Sequence, residues 1–427
     1  MDVAIYTLGC KVNQYETQSL EAELVRRGHV LVPFEGNADA FIINTCSVTA
    51  VSDKKSRNVV RRARRRCPNA VVAVCGCYVQ THVEEAQTLG ADLLMGTNDR
   101  MGFLDALERA VTERQSPIVD VDNALKRRIF EVLPAGGMEG RTRALLKVED
   151  GCVNFCSYCI IPYARGPIRS LPLSDAVAET RRLAEEGYLE LVITGIEISS
   201  WGRDLEGKPE LIDLVEAICM AAPDLRIRLG SLEPRTITED FCRRAAALPN
   251  LCPHFHLSLQ SGCDTTLKRM NRKYDTARYY ESVALLKTFF DSPAVTTDLI
   301  VGFPGESEEE FSETLEFIQR CAFSSMHIFP YSPRPDTPAA AMKEQVPAAI
   351  KEDRAHRAAA VANAMGQNYL NRLVGRTLPV LFEQDEQGRS KGHAPNYVEV
   401  HFKEPGLHNV VRNVTITGTE DNHLIAE

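Results

Sequence analysis

The sequence predicts an α/β protein in three parts: a parallel sheet covered by helices, a partial (β/α)6 barrel, and a small antiparallel β-barrel. Three observations carry this. Apolar strand-like runs alternate with helical runs twice, over 1–115 and again over 141–367, and such alternation builds parallel sheets. From 368 to 427 the runs shorten, and Tyr397-Val-Glu-Val-His-Phe402 alternates with period two, as a half-buried strand does. A chain of 427 residues, 44% hydrophobic and 25% charged, has an ordinary globular balance and room for about three domains.

In the first part, strands are expected at 3–8, 40–44, 70–74 and 92–95, and helices at 16–27, 53–66 and 83–89. Residues 116–140, with Lys126-Arg127-Arg128 and the Pro134-Ala-Gly-Gly137 breaker, read as a linker. The second part offers six strands, at 144–148, 189–194, 226–231, 256–260, 296–301 and 327–331, separated by helical runs. The alanine-rich run 348–373 reads as a connecting helix. Strands at 377–383, 396–402, 413–417 and 423–426 form the last part. No stretch approaches the roughly 18 apolar residues of a membrane span. Asp2 stands where a secretory signal would be positive, so the start reads as a strand and the protein as cytoplasmic. Net charge is −9, so attraction of a polyanion to the whole surface is not expected, and binding one needs a local basic patch.

Thirteen cysteines in a reducing compartment point to metal or redox chemistry rather than disulfides. One set is tight: Cys152-Val-Asn-Phe-Cys156-Ser-Tyr-Cys159, directly after the first barrel strand. The other is dispersed. Cys10, Cys46 and Cys77 each fall one to three residues past a strand of the first sheet, and strand ends of a parallel sheet converge on one edge. The remaining seven read as buried core thiols, with Cys75 left open because it lies so near Cys77. Three thiolates without a fourth nearby ligand suit an iron–sulfur cubane with one open iron better than zinc.

The triplet, with Tyr158 before its last cysteine, resembles the radical SAM signature. The resemblance implies a four-iron cluster that binds and reductively cleaves S-adenosylmethionine to a hydrogen-abstracting radical, with the aromatic ring near the adenine. Gly195 and Glu197, in Thr194-Gly-Ile-Glu197, occupy the place of a Gly-Gly-Glu type motif that holds the methionyl amine; Ile196 departs from it, so contact there must be through the backbone. Ser231, Glu233 and Gln260 fall at later strand ends, where the superfamily lines its cofactor and substrate pocket. Glu233 and Glu306 read equally well as helix caps.

Leu8-Gly-Cys10-Lys-Val-Asn-Gln-Tyr-Glu-Thr17, Asn44-Thr-Cys46 and Gly76-Cys77-Tyr-Val-Gln80, together with the triplet, are similar to the methylthiotransferases over the whole chain. That family implies an N-terminal α/β domain, a radical SAM barrel and a C-terminal TRAM barrel. It also implies a second four-iron cluster on Cys10, Cys46 and Cys77 that supplies the methylthio sulfur, and an electron donor such as flavodoxin or ferredoxin. Of its three branches, the first loop looks most like the one acting on threonylcarbamoyladenosine beside the tRNA anticodon. Isopentenyladenosine in tRNA, an aspartate of a ribosomal protein, and a non-catalytic iron–sulfur or zinc RNA-binding protein are the alternatives.

An anticodon stem-loop needs cations. Lys54, Lys55, Arg57, Arg61, Arg62, Arg64, Arg65 and Arg66 form a run without an acid, suited to phosphate. Residues 126–128, Arg141, Arg143 and Lys147 are expected to extend it. The last part has six basic and eight acidic residues from 370 to 427, unlike a basic RNA-binding face.

Overall fold

The structure is a computed structural model that describes residues 1–113, 117–134 and 142–427. The first domain runs β1 (Asp2–Thr7), α1 (Lys11–Arg26), β2 (Val30–Val32), β3 (Ala40–Thr45), α2 (Ala50–Arg66), β4 (Val71–Gly76), α3 (Cys77–Thr81), α4 (Val83–Gln87), β5 (Leu93–Met95), α5 (Arg100–Glu113) and β6 (Ile118–Asp120). The sheet is all parallel, in the order β2-β1-β3-β4-β5-β6. Every residue of β3 and β4 is buried, which is why these strands are continuous apolar runs. Thr49 starts α2 by accepting the Ser52 N–H at 3.1 Å.

The segment expected to be a linker is partly ordered structure, because Ile118–Asp120 adds an edge strand to the first sheet. Three residues are too few to show a period. Ala135-Gly-Gly137 and Arg141 lie outside the described residues.

The central domain begins with β7 (Arg143–Asp150), α6 (Ile161–Arg165), β8 (Arg169–Ser170), α7 (Leu173–Glu185), β9 (Glu190–Gly195), α8 (Leu211–Ala221), β10 (Arg226–Leu229), β11 (Ser231–Leu232) and α9 (Glu239–Ala246). It continues with β12 (His254–Leu257), α10 (Asp264–Arg269), α11 (Thr276–Phe289), β13 (Ala294–Val301), α12 (Glu308–Cys321) and β14 (Ser325–Pro330). β10 and β11 are halves of one strand broken at Gly230, so the sheets β10-β9-β7-β8 and β11-β12-β13-β14 join into six parallel strands. This is the expected partial (β/α)6 barrel. The core between its strands and helices holds Leu146, Ile193, Leu229, Phe255 and the single tryptophan, Trp201. Helix α13 (Ala348–Asn371) then packs on β14.

The last domain is a closed five-stranded barrel: β15 (Thr377–Glu386), β16 (Arg389–His393), β17 (Glu399–Phe402), β18 (Val410–Glu420) and β19 (His423–Ala426). Four of its ladders are antiparallel as expected, and the β17–β19 seam is parallel. The strand expected from 396 starts only at Glu399, because Tyr397 turns left-handed, with φ +64°. Its core, with Val380, Phe382, Val400 and Phe402, includes Leu370 from the end of α13 and Leu373 just past it. Polar pairs fix it to the central barrel. Arg228, held within the central barrel by Glu190 at 2.7 Å, bonds the Pro395 carbonyl at 2.8 Å, and Arg143 bonds Glu383 at 2.9 Å.

Candidate functional site

The three dispersed thiols meet at the carboxyl edge of the first sheet. Cys10 caps the start of α1, Cys46 follows β3 and Cys77 opens α3. They are electrostatic neighbours: the charge of Cys77 is raised in cost by Cys46 and Cys10, and that of Cys10 by Cys46. Two glycines allow this convergence. Gly9 has φ +108°, and a Cβ there would lie 2.8 Å from Cβ of Cys46. Gly76 has φ +99°, and a Cβ there would lie 2.5 Å from the Thr45 carbonyl oxygen. Asn13 binds the loops together. Its amide donates to the carbonyls of Leu8 at 2.8 Å and Thr45 at 2.9 Å, and its Oδ1 accepts from Arg165 at 2.8 Å. Cys75 answers its open question: it faces the other way, into the core with Val3, Leu20 and Leu104.

The tight triplet forms a loop after β7. The Cys152 N–H donates to the Gly166 carbonyl at 3.0 Å, and the Cys159 N–H to the Cys156 carbonyl at 2.9 Å. Tyr158 packs edge-on against Phe303 at 6.3 Å. Helix α6, two residues beyond Cys159, packs on α3, which begins with Cys77. The two thiol sets therefore belong to neighbouring elements of different domains.

Each set has a buried guanidinium. Arg272 Nη1 lies 3.3 Å from Sγ of Cys156. Arg165 is fully buried beside Cys77 and Cys10; burial pushes the Cys77 thiol up to about 11 while Arg165 pulls it down. Burial likewise lifts Cys159 to about 12, opposed by Arg272 and Arg334. Arg334 ties the domains, pairing with Asp53 at 2.8 Å and donating to Ser47 at 2.5 Å, just past Cys46.

Arg165 also belongs to a buried charge network. Glu16, 0% exposed, is paired with Arg100 at 2.7 Å, with Arg165, and with Lys147 at 3.5 Å; Asp150 joins through Lys147 at 3.4 Å and Arg169 at 3.2 Å. Burial alone would raise the Glu16 carboxyl, but Arg100, Arg165 and Lys147 outweigh it and hold it at about 2.

The cofactor-binding candidates divide. Gly195, at the end of β9, and Ser231, at the start of β11 just past β10, line a cavity of about 940 Å³ that Cys10 and Lys11 wall on another side. Glu197 donates its N–H to Oε2 of Glu149 at 2.7 Å, while Oε1 of each carboxylate is buried with no hydrogen-bond partner among the described residues. Burial raises both groups, Glu149 the more. Two buried, half-satisfied carboxylates suit an ammonium group such as the amine of S-adenosylmethionine. Glu233 is held by Arg235 at 2.9 Å, and Gln260, with φ +71°, hydrogen-bonds through its backbone to β13. Glu306, read as a possible cap, instead accepts the Gly302 N–H at 2.6 Å and pairs with Arg354 at 2.8 Å.

The thiol sets fit a cluster better than one ion. Among the described residues only Glu399, His401 and His423 bring three ligand atoms within 4.8 Å of one another. The cysteine sulfurs stand wider than a single zinc with bonds of about 2.3 Å would hold them. In the Glu399 group the two imidazoles stack at 3.7 Å and 21°, so their lone pairs run side by side instead of converging.

The basic helix is partly compensated. Arg57 pairs with Glu85, Arg62 with Glu35 and Arg64 with Asp92, while Arg66 bonds the Glu35 carbonyl. Lys54, Lys55, Arg61 and Arg65 are exposed, with no acidic partner among the described residues. Of the expected extension of this surface, Lys126 and Arg128 are exposed, but three other cations are drawn away from it. Arg127 turns inward to Asp122, Arg143 pairs with Glu383, and Lys147 is fully buried in the Glu16 network. Glu383 and Glu16 lie far away in sequence, out of reach of a local charge count, whereas Asp122 and Asp150 lie within five residues of their partners.

A partial barrel with a cysteine triplet at its first strand end and paired buried carboxylates beside it defines a radical SAM enzyme. Residues 146–318 match the Radical SAM superfamily, and residues 2–96 match a family described as Uncharacterized protein family UPF0004. The domain uses a [4Fe-4S] cluster and S-adenosylmethionine. The threonylcarbamoyladenosine tRNA methylthiotransferase MtaB of Bacillus subtilis is 40% identical over 407 residues, 94% of this chain and 90% of that protein. MtaB of Thermotoga maritima is 37% identical over 94% of this chain and 91% of its own length. A tRNA-2-methylthio-N(6)-dimethylallyladenosine synthase of Pelotomaculum thermopropionicum is 32% identical, covering 98% and 96%. The chain belongs to the radical SAM methylthiotransferase family. In fold it is similar to the radical S-adenosylmethionine methyltransferase TsrM of Kitasatospora setae, with a TM-score of 0.59, 14% identity, and coverage of 90% of this chain and 79% of that one.

Sequence reasoning missed Arg165, Arg272 and Arg334. No spacing marks them, since their partners sit over 100 residues away.

Proposed function

We propose that this protein converts N6-threonylcarbamoyladenosine, beside the anticodon at position 37 of tRNA, to its 2-methylthio derivative. Cys152, Cys156 and Cys159 hold the radical-generating cluster, and Cys10, Cys46 and Cys77 hold a second four-iron cluster. When bound, these groups and S-adenosylmethionine supply one-electron reduction, a hydrogen-abstracting radical, and the sulfur and methyl that are transferred. Glu149 and Glu197 accept the methionyl ammonium, with Gly195 and Tyr158 against the rest of the cofactor. Arg272 and Arg165 steady the thiolates. Lys54, Lys55, Arg61 and Arg65 hold phosphates of the anticodon stem-loop. The domains divide near 1–120, 142–367 and 368–427. The reductant is a small one-electron donor of the flavodoxin or ferredoxin class, and the enzyme works in the cytoplasm.

The observation that carries this reading is the shared cavity. Cys10 walls it on one side, and Gly195 and Ser231, at the cofactor end of the barrel, wall it on another. A base turned into it meets Cys10, the one cysteine in its lining, and the strand ends that carry Gly195 and Ser231. Its lining is rich in hydrogen-bonding groups, including His256, Asp298, Thr296 and Asn396, which suits a threonylcarbamoyl group better than an apolar dimethylallyl chain.

The test is anaerobic reconstitution with threonylcarbamoylated, isopentenylated and unmodified transcripts, read by nucleoside mass spectrometry. The 2-methylthio product is expected from the first alone. Wild type is expected to bind about eight irons and Cys77→Ala about four. Product from the isopentenylated transcript alone would reassign the substrate, and four irons in wild type would remove the second cluster.

A further inference from the structure

We infer that the cavity contains a carboxylate-binding subsite beside Cys10, with Lys11 as its cation and Tyr397 as its floor. This rests on the function proposed above, and it names the group by which that substrate is told from its apolar counterpart.

The subsite lies where three domains meet. Lys11 comes from the start of α1, Arg143 and Arg228 from the central barrel, and Tyr397 from the loop between β16 and β17. Three cations surround the Tyr397 ring: Arg228 at 4.6 Å, Arg143 at 5.4 Å and Lys11 Nζ at 6.0 Å from its centroid. Two of them are already paired, Arg143 with Glu383 at 2.9 Å and Arg228 with Glu190 at 2.7 Å. Glu190 also takes Arg226 at 2.5 Å. Lys11 has no acidic partner among the described residues, and its side chain lines the cavity. The floor thus holds more positive than negative groups, and the one without a partner faces the open space. Such a surplus attracts an anion, and the carboxylate of the threonylcarbamoyl group is the anion that a base turned into the cavity would bring there.

Tyr397 shows that the floor is built rather than incidental. A bulky residue at φ +64° is strained, and here the turn holds it through a 2.9 Å bond from its N–H to the Ala394 carbonyl. The His393 ring stacks on it at 4.8 Å, and His254 packs against it at 5.0 Å. The C-terminal barrel therefore places a ring in the catalytic cavity, a function that does not require the basic surface its composition lacks. Because Lys11 follows Cys10 directly, the start of one helix sets both the thiol and the carboxylate contact.

The test measures binding of anticodon stem-loop RNAs to the cluster-loaded full chain by fluorescence anisotropy, with the base unmodified, threonylcarbamoylated, or threonylcarbamoylated with its carboxylate methyl-esterified. Wild type is expected to prefer the free carboxylate over the ester by about tenfold or more, the size of a charge-assisted contact. Lys11→Gln is expected to abolish that preference, to leave affinity for unmodified RNA unchanged, and to keep the wild-type iron content. Lys11→Arg is expected to restore most of it. A preference that survives in Lys11→Gln overturns the subsite, as does equal weakening toward all three RNAs, which would make Lys11 a phosphate contact. If wild type yields no methylthio product from threonylcarbamoylated RNA, the parent reading fails instead, whatever Lys11→Gln does.

Discussion

Replacing Glu16 with Gln tests the join between the first two domains. Glu16 is 0% exposed and faces Arg100, Arg165 and Lys147, each also 0% exposed. The amide would leave three buried cations with Asp150 and Glu131 as the acids in reach. Breaking a buried pair costs about 3–5 kcal/mol, chiefly through the uncompensated charge. The carboxyl points the same way, since Arg100, Arg165 and Lys147 outweigh the burial that would raise it and hold it below the usual carboxylate range. Glu23 on the same helix is the control. Hydrogen bonds from Arg26 and Arg27 also hold it at about 2, but its partners reach solvent, Arg26 at 73% and Arg27 at 19% exposed against 0% for those of Glu16, so Glu23→Gln should cost about 1 kcal/mol. Urea unfolding followed through the fluorescence of Trp201, buried in the central core, reads both. A Glu16→Gln loss as small as that of Glu23→Gln would refute the claim that burial decides the strength of these pairs.

Gly76→Ala should destabilise the protein by about 1–3 kcal/mol, because its Cβ would strike the Thr45 carbonyl; it should also lower bound iron selectively, as read by iron analysis beside a melting curve. Arg272→Gln removes a positive donor 3.3 Å from Cys156, so a redox titration should find the radical-generating cluster harder to reduce. Glu190 is held at about 2, burial being outweighed by Arg228 and Arg226. Its folded value is depressed, so its contribution is full above about pH 4.5 and is lost as the pH falls toward 2. The pairing of Arg228 with Glu190 should weaken over that window, and hydrogen exchange at Ala394 and Tyr397 should rise in wild type more than in Glu190→Gln.

The six barrel strands were legible because apolar residues recur in each, in a run in β9 and in alternation in β10 and β12, between helical stretches, and the triplet because its three cysteines span eight residues. Cys10, Cys46 and Cys77 were legible by position alone, each just past a strand. What stayed hidden depends on distant partners. Lys147 and Arg143 look like surface cations until Glu16 and Glu383 are placed beside them. The basic helix looked uncompensated because Glu35, Glu85 and Asp92 come from other segments. Cys75 was decidable in principle, since strand alternation in β4 puts it with Val71 and Ala73 on the face toward Leu20 and Leu104. The edge strands β2 and β6 have three residues each and show no pattern.

The two thiol sets differ in how much of the chain must be in place before they exist. Cys152, Cys156 and Cys159 sit in one short loop, so a chain still emerging from the ribosome can gather them at small entropic cost. Cys10, Cys46 and Cys77 become neighbours only after β1, β3 and β4 have paired in register. Mild denaturation should therefore scatter the dispersed thiols while the short loop keeps its three together.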